Sequence, residues 1–254
     1  MKLIVHPSFE SLRETIVKAI KQFDATGVLL AKGSRNTIKI FATDSISLNI
    51  KSFKKPNLLN QFVYKYVRDS KAKRSYEYGL KLLGKNIGTP QPIAFLENYQ
   101  GLGLGTSFYV CEHINANYTY RDLVERPDLP NHEEILRAFT RFCIQLHEEG
   151  VEFKDHSPGN TLIEINGSEY KFYLVDLNRM NFHTSMDFEL RMKNLCRLTP
   201  KKEMVKVMAN EYSKFYKKKS EQEIFDTLWR FTSEFQAKFW RKQRMKKKLK
   251  FWKK

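Results

Sequence analysis

Phe153-Lys154-Asp155-His156-Ser157-Pro158-Gly159-Asn160, followed by Leu174-Val175-Asp176-Leu177-Asn178, is the stretch of this 254-residue sequence on which its reading turns. An aspartate is followed five residues later by an asparagine, and Pro158-Gly159 between them suits a tight loop. Thr161 to Ile165 and Tyr170 to Val175 are apolar runs joined through Asn166-Gly167, the strongest short hairpin signal available. Asp176 closes the second run. Taken singly, each residue has a plain structural use: Asp155 caps a turn, Asn160 starts a strand, Asp176 ends one. Their order, helix then loop then hairpin then aspartate, is what carries information.

Upstream of the loop, Asn131 with Glu134 gives a capping-box-like start to a helix. Ile135, Leu136, Phe139, Phe142, Cys143 and Leu146 line one face of it, and Gly150 is its expected stop. Ahead of that helix the sequence is β-rich. Val28 to Ala31 and Thr37 to Ala42 flank Gly33-Ser34-Arg35-Asn36, a hairpin turn, and Ser45 to Phe53 is a third strand pattern carrying Lys51. Ile93 to Glu97 and Ser107 to His113 form another strand pair around Gly101, Gly103 and Gly105. That glycine run follows no βαβ pattern, so it reads as a hairpin bend rather than a nucleotide loop. Ser8 to Phe23 predicts a leading helix with Phe9, Leu12, Ile16, Ile20 and Phe23 on one side. Lys54 to Leu83 predicts a mainly helical, basic segment after Pro56, around Lys65, Arg68, Lys71, Lys73 and Arg74. Beyond Asp176 the chain reads as helical, with Phe215, Ile224, Leu228 and Phe231 as core candidates. A β-rich first part followed by a helical second part predicts an α+β fold of two lobes with a cleft between them.

Phosphoryl transfer from ATP needs a base to orient the acceptor hydroxyl, acidic or amide oxygens for Mg²⁺, and a lysine on the phosphates. Asp155 and Asn160 have the spacing of the kinase catalytic loop, and Asp176 lies where a second metal-binding carboxylate is expected. Asp155-His156-Ser157-Pro158-Gly159-Asn160 with Asp176-Leu177-Asn178-Arg179 is similar to the lipopolysaccharide kinase (Kdo/WaaP) family, within the protein-kinase-like superfamily. The resemblance runs from the helix near Ser8 through Tyr216. It implies ATP- and Mg²⁺-dependent phosphorylation of an inner-core sugar hydroxyl, on Kdo or heptose, with Asp155 as base and Asn160 and Asp176 on the metal. Lys51 matches the strand lysine on the ATP phosphates, and Glu77 the helix glutamate that pairs with it. Gly33, Ser34, Arg35 and Asn36 take the place of the glycine-rich loop, and Glu112 and Ile114 fall where a linker binds adenine through its backbone. The implied lobes are residues 1–112 and 113–237 of a single 1–254 kinase-like domain, with a tail over 238–254.

The pattern departs from protein kinases in several places. Phe153-Lys154 stands where His-Arg is usual, Asp176 is followed by Leu-Asn rather than Phe-Gly, and Asn181 to Asp187 leaves little room for an activation segment. These departures favour a small-molecule or glycolipid acceptor. A protein kinase or tRNA-modification ATPase of the same superfamily, and a nucleotide-binding pseudokinase scaffold, are the rival readings.

The net charge of +17 points to an anionic partner. Lys238 to Lys254 holds ten Lys/Arg and no acid, interleaved with Phe239, Trp240, Phe251 and Trp252, so +17 less these ten leaves +7 for the rest. Docking on an anionic membrane surface is the leading reading of this tail, beside a solvated basic terminus and nucleic-acid binding. No apolar run approaches the ~18 residues of a membrane span, and Pro7 interrupts the N-terminus before a signal-type stretch. The expected location is therefore cytoplasmic, peripheral on the inner face of the inner membrane. Cys111, Cys143 and Cys196 are widely spaced and predict reduced structural thiols.

Overall fold

The computed structural model describes residues 1–57, 68–100 and 103–251, so Lys65, Gly101, Trp252, Lys253 and Lys254 lie outside the described residues. The chain divides into two compact units: Met1–Asn115 with Tyr173–Arg179, and Ala116–Phe172 with Met180–Lys254.

The first unit is built on a six-stranded sheet. Its strands are β1 (Lys2–Val5), β2 (Val28–Lys32), β3 (Asn36–Ala42), β4 (Ser47–Phe53), β5 (Pro92–Gln100) and β6 (Gly103–Glu112), in the order β1-β5-β6-β4-β3-β2. The anticipated pairs β2–β3 and β5–β6 both form, although Gly103 and Gly105, expected in the bend, lie within β6; Lys51 sits opposite Ile38 on one side and Tyr109 on the other. β1 was not anticipated. Its four residues are too few to show alternation on their own, and antiparallel pairing with β5 makes it a strand. Outermost β2 exposes Val28, Leu29 and Leu30.

Two helices pack in this unit. The leading segment is a 3₁₀ turn over Pro7–Leu12, broken at Phe9 (φ −122°), followed by α1 (Arg13–Lys21), rather than one continuous helix from Ser8. Its apolar face still seats as the spacing required: Ile16, Ile20 and Phe23 join Leu48, Ile50, Ile93, Leu96 and Val110 in one core, with Phe9 and Leu12 against its edge. Helix α2 (Lys71–Leu83) begins at the Ser70 cap, whose hydroxyl accepts from the Lys73 amide at 3.0 Å. Residues Lys54–Asn57 and Arg68–Ser70 are not helical; residues 58–67 of the expected helical segment lie outside the described residues. A second core gathers Phe53, Ala72, Tyr76, Phe95, Tyr109 and Cys111 beneath α2.

The second unit carries β7 (Tyr118–Thr119), α3 (Tyr120–Glu125), α4 (His132–Glu148), β8 (Val151–Phe153), β9 (Thr161–Asn166), β10 (Glu169–Leu174, whose last two residues are counted with the first unit), β11 (Met180–Phe182), α5 (Phe188–Leu195), α6 (Lys202–Phe215) and α7 (Glu221–Phe251). The Asn166-Gly167 turn joins β9 to β10 with Gly167 at φ +63°, as its sequence demands. Helix α4 buries the expected face, but Asn131 adopts a left-handed conformation (φ 56°) and makes no capping bond. Gly150 (φ +69°) does end the helix turn, and a Cβ there would fall 2.0 Å from the His183 carbonyl oxygen. Buried Glu211 on α6 ties that helix to α4 by accepting from Arg137 (3.2 Å) and Arg141 (2.6 Å). Ile224 and Leu228 are core residues, whereas Phe215, at the end of α6, is 55% exposed. The basic tail continues α7 as helix to Phe251, and residue 238 falls inside it. No helix among the described residues is long and apolar enough to cross a membrane. The three cysteines are buried free thiols.

Gly79 sets how closely α2 approaches the rest of its unit. A Cβ there would lie 2.5 Å from the Pro92 ring, 3.4 Å from Leu177 and 3.5 Å from the Tyr109 hydroxyl. Alanine favours helix over glycine, yet overpacking here outweighs that gain. Gly79→Ala is therefore expected to lower stability by about 1–3 kcal/mol in urea unfolding; a neutral or stabilising result would show that the close approach is not constrained.

Candidate active site

In the first unit, Lys51 and Asp176 meet although 125 residues separate them. The Lys51 side chain is 10% exposed, and its ammonium donates to Asp176 Oδ1 at 2.6 Å. The same oxygen accepts from Asn178 Nδ2 at 2.6 Å. Asp176 has φ 60°, a left-handed conformation that aspartate tolerates better than most residues. Three bonds hold the segment around it: the Leu174 amide to the Gly88 carbonyl (2.9 Å), the Thr89 hydroxyl to the Leu174 carbonyl (2.8 Å), and the Arg74 guanidinium to the Asn178 carbonyl (2.6 Å). Arg74 is 5% exposed and also reaches the Asp69 carbonyl. In the sequence it was one member of a basic run; only the fold shows that it pins the Asp176 segment to α2.

Glu77 does not pair with Lys51 here. Its partner is Lys73, one helical turn away, at 3.6 Å, and Asp69 meets the same ammonium at 2.6 Å. The local i,i+4 geometry on α2 serves Glu77, and Asp176 serves Lys51. The Gly33 amide closes its turn by donating to the Asn36 carbonyl (2.9 Å), while the Arg35 carbonyl accepts from the Lys54 amide (3.2 Å) and Ser34 sits exposed at the bend. The Glu112 amide donates to the Gln91 carbonyl (2.9 Å), and Ile114 follows half-buried beyond the end of β6.

In the second unit, specific side chains hold the carbonyls of the loop. Asn194 donates to the Phe153 carbonyl at 3.0 Å, Arg197 to Lys154 at 2.7 Å, and Asn160 Nδ2 to Asp155 at 2.8 Å. The Asn160 bond fixes its amide so that Oδ1 is the atom left to accept or to ligate a cation. Arg197 also reaches Asp155 Oδ1 at 3.2 Å, and its guanidinium lies over Phe235 of α7, 5.4 Å from the ring centre. Arg197 follows α5 in an irregular turn, with no periodicity to mark it, and the sequence reading missed it.

His156, next to Asp155, is fully buried between Phe139 and Phe153, with ring centres 5.8 and 5.5 Å away. Among the described residues neither ring nitrogen has a hydrogen-bond partner. Burial drives its pKa down to about 4, opposed by the nearby Asn194 amide and helped by the Arg197 charge. His147 beneath it is pushed to about 3, first by burial and then by His156; it bonds the Tyr212 hydroxyl at 2.9 Å. Both rings are therefore neutral supports for the loop rather than acids or bases at neutral pH.

Among the described residues no three His, Cys, Asp or Glu side chains cluster as a metal cage. Mg²⁺ is commonly held by one or two carboxylates together with substrate phosphates; the Asp176 carboxylate in the first unit and Asn160 Oδ1 in the second are each hard oxygens of the type it prefers.

The model of the lipopolysaccharide kinase (Kdo/WaaP) family matches residues 60–219. A solved structure described as WaaP in complex with acyl carrier protein is similar over 94% of this chain and 98% of that one, with a TM-score of 0.63 and 14% identity. At that identity the likeness speaks for the fold, a protein-kinase-like one with a β-sheet N-terminal region and a helical C-terminal region. No curated protein matches the sequence.

The buried histidines predict a pH signature. A ring whose folded pKa lies below its unfolded value of about 6.5 contributes fully above pH 6.5, and that contribution is lost as pH falls toward the folded pKa. Stability should therefore decline from pH 6.5 to 5, before most carboxylates titrate. His156→Phe should flatten that slope whatever its absolute stability, and equal slopes in parent and variant would contradict the burial-driven shift.

Proposed function

The chain belongs to the lipopolysaccharide kinase (Kdo/WaaP) family, and from that premise we propose that it transfers the γ-phosphoryl group of ATP to a hydroxyl of a lipopolysaccharide inner-core sugar, Kdo or heptose. The observation that carries the reading is the ion pair between Lys51 and Asp176 at 2.6 Å, which joins a strand lysine to the aspartate after the hairpin. In this reading Asp155 accepts the proton of the sugar hydroxyl. The hydroxyl oxygen then bonds to the γ-phosphorus as the bond to the β,γ-bridging oxygen breaks, and ADP leaves. Arg197 keeps the Asp155 carboxylate aimed. Lys51 grips the phosphates, with Gly33, Ser34, Arg35 and Asn36 as the covering turn. Adenine hydrogen-bonds to the backbone around Glu112 and Ile114. Glu77, which meets Lys73 here, is in this reading the helix glutamate that would pair with Lys51 when nucleotide is bound. Asp176 and Asn160 are the residues that would hold Mg²⁺, which would supply charge neutralisation to the phosphates.

A lipid-linked acceptor requires work at a membrane surface, which for this chain would be the cytoplasmic face of the inner membrane. Exposed Phe239, Trp240 and Met245 alternate with Lys and Arg along the end of α7. Aromatic insertion at the interface, and about 1 kcal/mol per basic residue near anionic lipid, favour docking there.

Labelled-ATP transfer to Kdo–lipid A, beside a generic protein and a tRNA, tests the activity. Asp155→Ala should lose transfer by at least about 10²-fold, as for removal of a general base. Arg197→Met should lower kcat with KM for ATP little changed, and added guanidinium should restore part of the loss. A variant at Asp155 as active as the parent would refute the assignment; preferred transfer to protein or tRNA would move the acceptor class, and nucleotide binding without transfer would leave a scaffold. Sedimentation with anionic vesicles should fall sharply when residues 238–254 are removed, and equal binding would dismiss the docking role of α7.

A further inference from the structure

We infer that Lys71 is a second phosphate-gripping ammonium, which with Lys51 and Arg35 forms a three-cation clamp for the polyphosphate chain of a nucleoside triphosphate. The nucleotide part of this inference rests on the kinase reading above; the clamp itself rests on the first unit alone.

Lys51 and Lys71 come from different elements, β4 and the first residue of α2, yet both ammonium groups lie against one ring. Lys51 Nζ is 5.4 Å and Lys71 Nζ 5.9 Å from the centre of Phe53, which is 5% exposed. The Arg35 backbone lies at the same end of the β3–β4 ladder: Asn36 faces Phe53 across it, and the Arg35 carbonyl accepts from the Lys54 amide. The cations are close enough to act on one another. Burial first, and then the Arg35 charge, hold the Lys71 ammonium below the usual lysine range; Asp176 opposes this, while Arg74 and Lys51 add to it.

The local charges do not balance. Lys51 has Asp176 as its ion-pair partner. Lys73 is neutralised by Asp69 and Glu77. Among the described residues neither Lys71 nor Arg35 has a carboxylate within ion-pair distance. The first turn of α2 has no acid either, although acids are what the positive end of a helix favours. A lysine there, half-buried and crowded by like charges, is an unfavourable arrangement for folding alone. It becomes favourable when a multivalent anion supplies the missing negative charge. A chain of phosphates offers several anionic oxygens along its length to point-like ammonium groups, and Arg adds a fork-shaped donor. A plain solvated lysine would instead extend away from Phe53.

Calorimetric titration of the full chain with ATP, ADP, adenosine and inorganic tripolyphosphate reads the clamp directly. Lys71→Met should weaken ATP and tripolyphosphate by tenfold or more and leave adenosine within twofold, and Lys71→Arg should recover most of the loss. Unchanged tripolyphosphate binding by Lys71→Met overturns the clamp. Acylation footprinting of the unmodified protein guards against a misfolded variant: saturating tripolyphosphate should protect Lys71 but not Lys73, and unprotected Lys71 overturns the proposal. A parent that binds tripolyphosphate but not ATP keeps the clamp and removes the nucleotide reading. A parent that binds neither removes both, and Lys71→Met with undiminished ATP affinity and transfer removes the clamp while keeping the kinase.

Discussion

The first unit depends on holding one carboxylate in a left-handed turn against one buried ammonium. Lys51 is nearly excluded from water, and an ammonium there is tolerable only with a charged partner. Asp176 supplies it, 125 residues later in the chain, and the structure around Asp176 serves to keep it there. Gly88 and Thr89 hold Leu174 before it, Arg74 holds Asn178 after it, and Asn178 shares its Oδ1. Gly79 lets α2 pack closely against Pro92 and Leu177. Few of these contacts are individually strong. Their value is that they fix a charged group whose misplacement would leave Lys51 buried alone.

The second unit solves a related problem with different means. The loop from Phe153 to Asn160 has little regular structure to satisfy its carbonyls, and side chains from α5, from the turn after it and from the loop itself do so instead. His156 within the loop and His147 of α4 are both kept neutral by burial. Arg197 links the loop to α7 through Phe235, so the helix that carries the basic, aromatic end is also part of the support for Asp155. Charge is thus distributed unevenly by design of the fold: paired and counted around Asp155 and Glu211, in excess around Lys71 and along the end of α7.

Much of this was legible in the sequence where the signal is local. Asn166-Gly167 specified a hairpin because its backbone demands are met by few residue pairs. The apolar face of α4 and the strands carrying Lys51 followed from periodicity, and the order of Asp155, Asn160 and Asp176 identified the family that the matched profile establishes. Where two local rules competed, reading by residue type failed. Asn131 and Glu134 had the composition of a capping box, but the backbone turned left-handed at Asn131. Phe215 had helical spacing and ended outside the core.

Tertiary structure alone decided which charge meets which. Sequence could place Lys51, Glu77 and Asp176 on a strand, a helix and a turn, but not choose between two carboxylates for one lysine. That choice depends on distances of a few ångströms between elements far apart in the chain, because ion pairs weaken steeply as the partners separate and rehydrate. The same holds for Arg74, Lys71 and Arg197, whose charges were counted from the start and whose partners, or lack of them, became apparent only once the chain had packed.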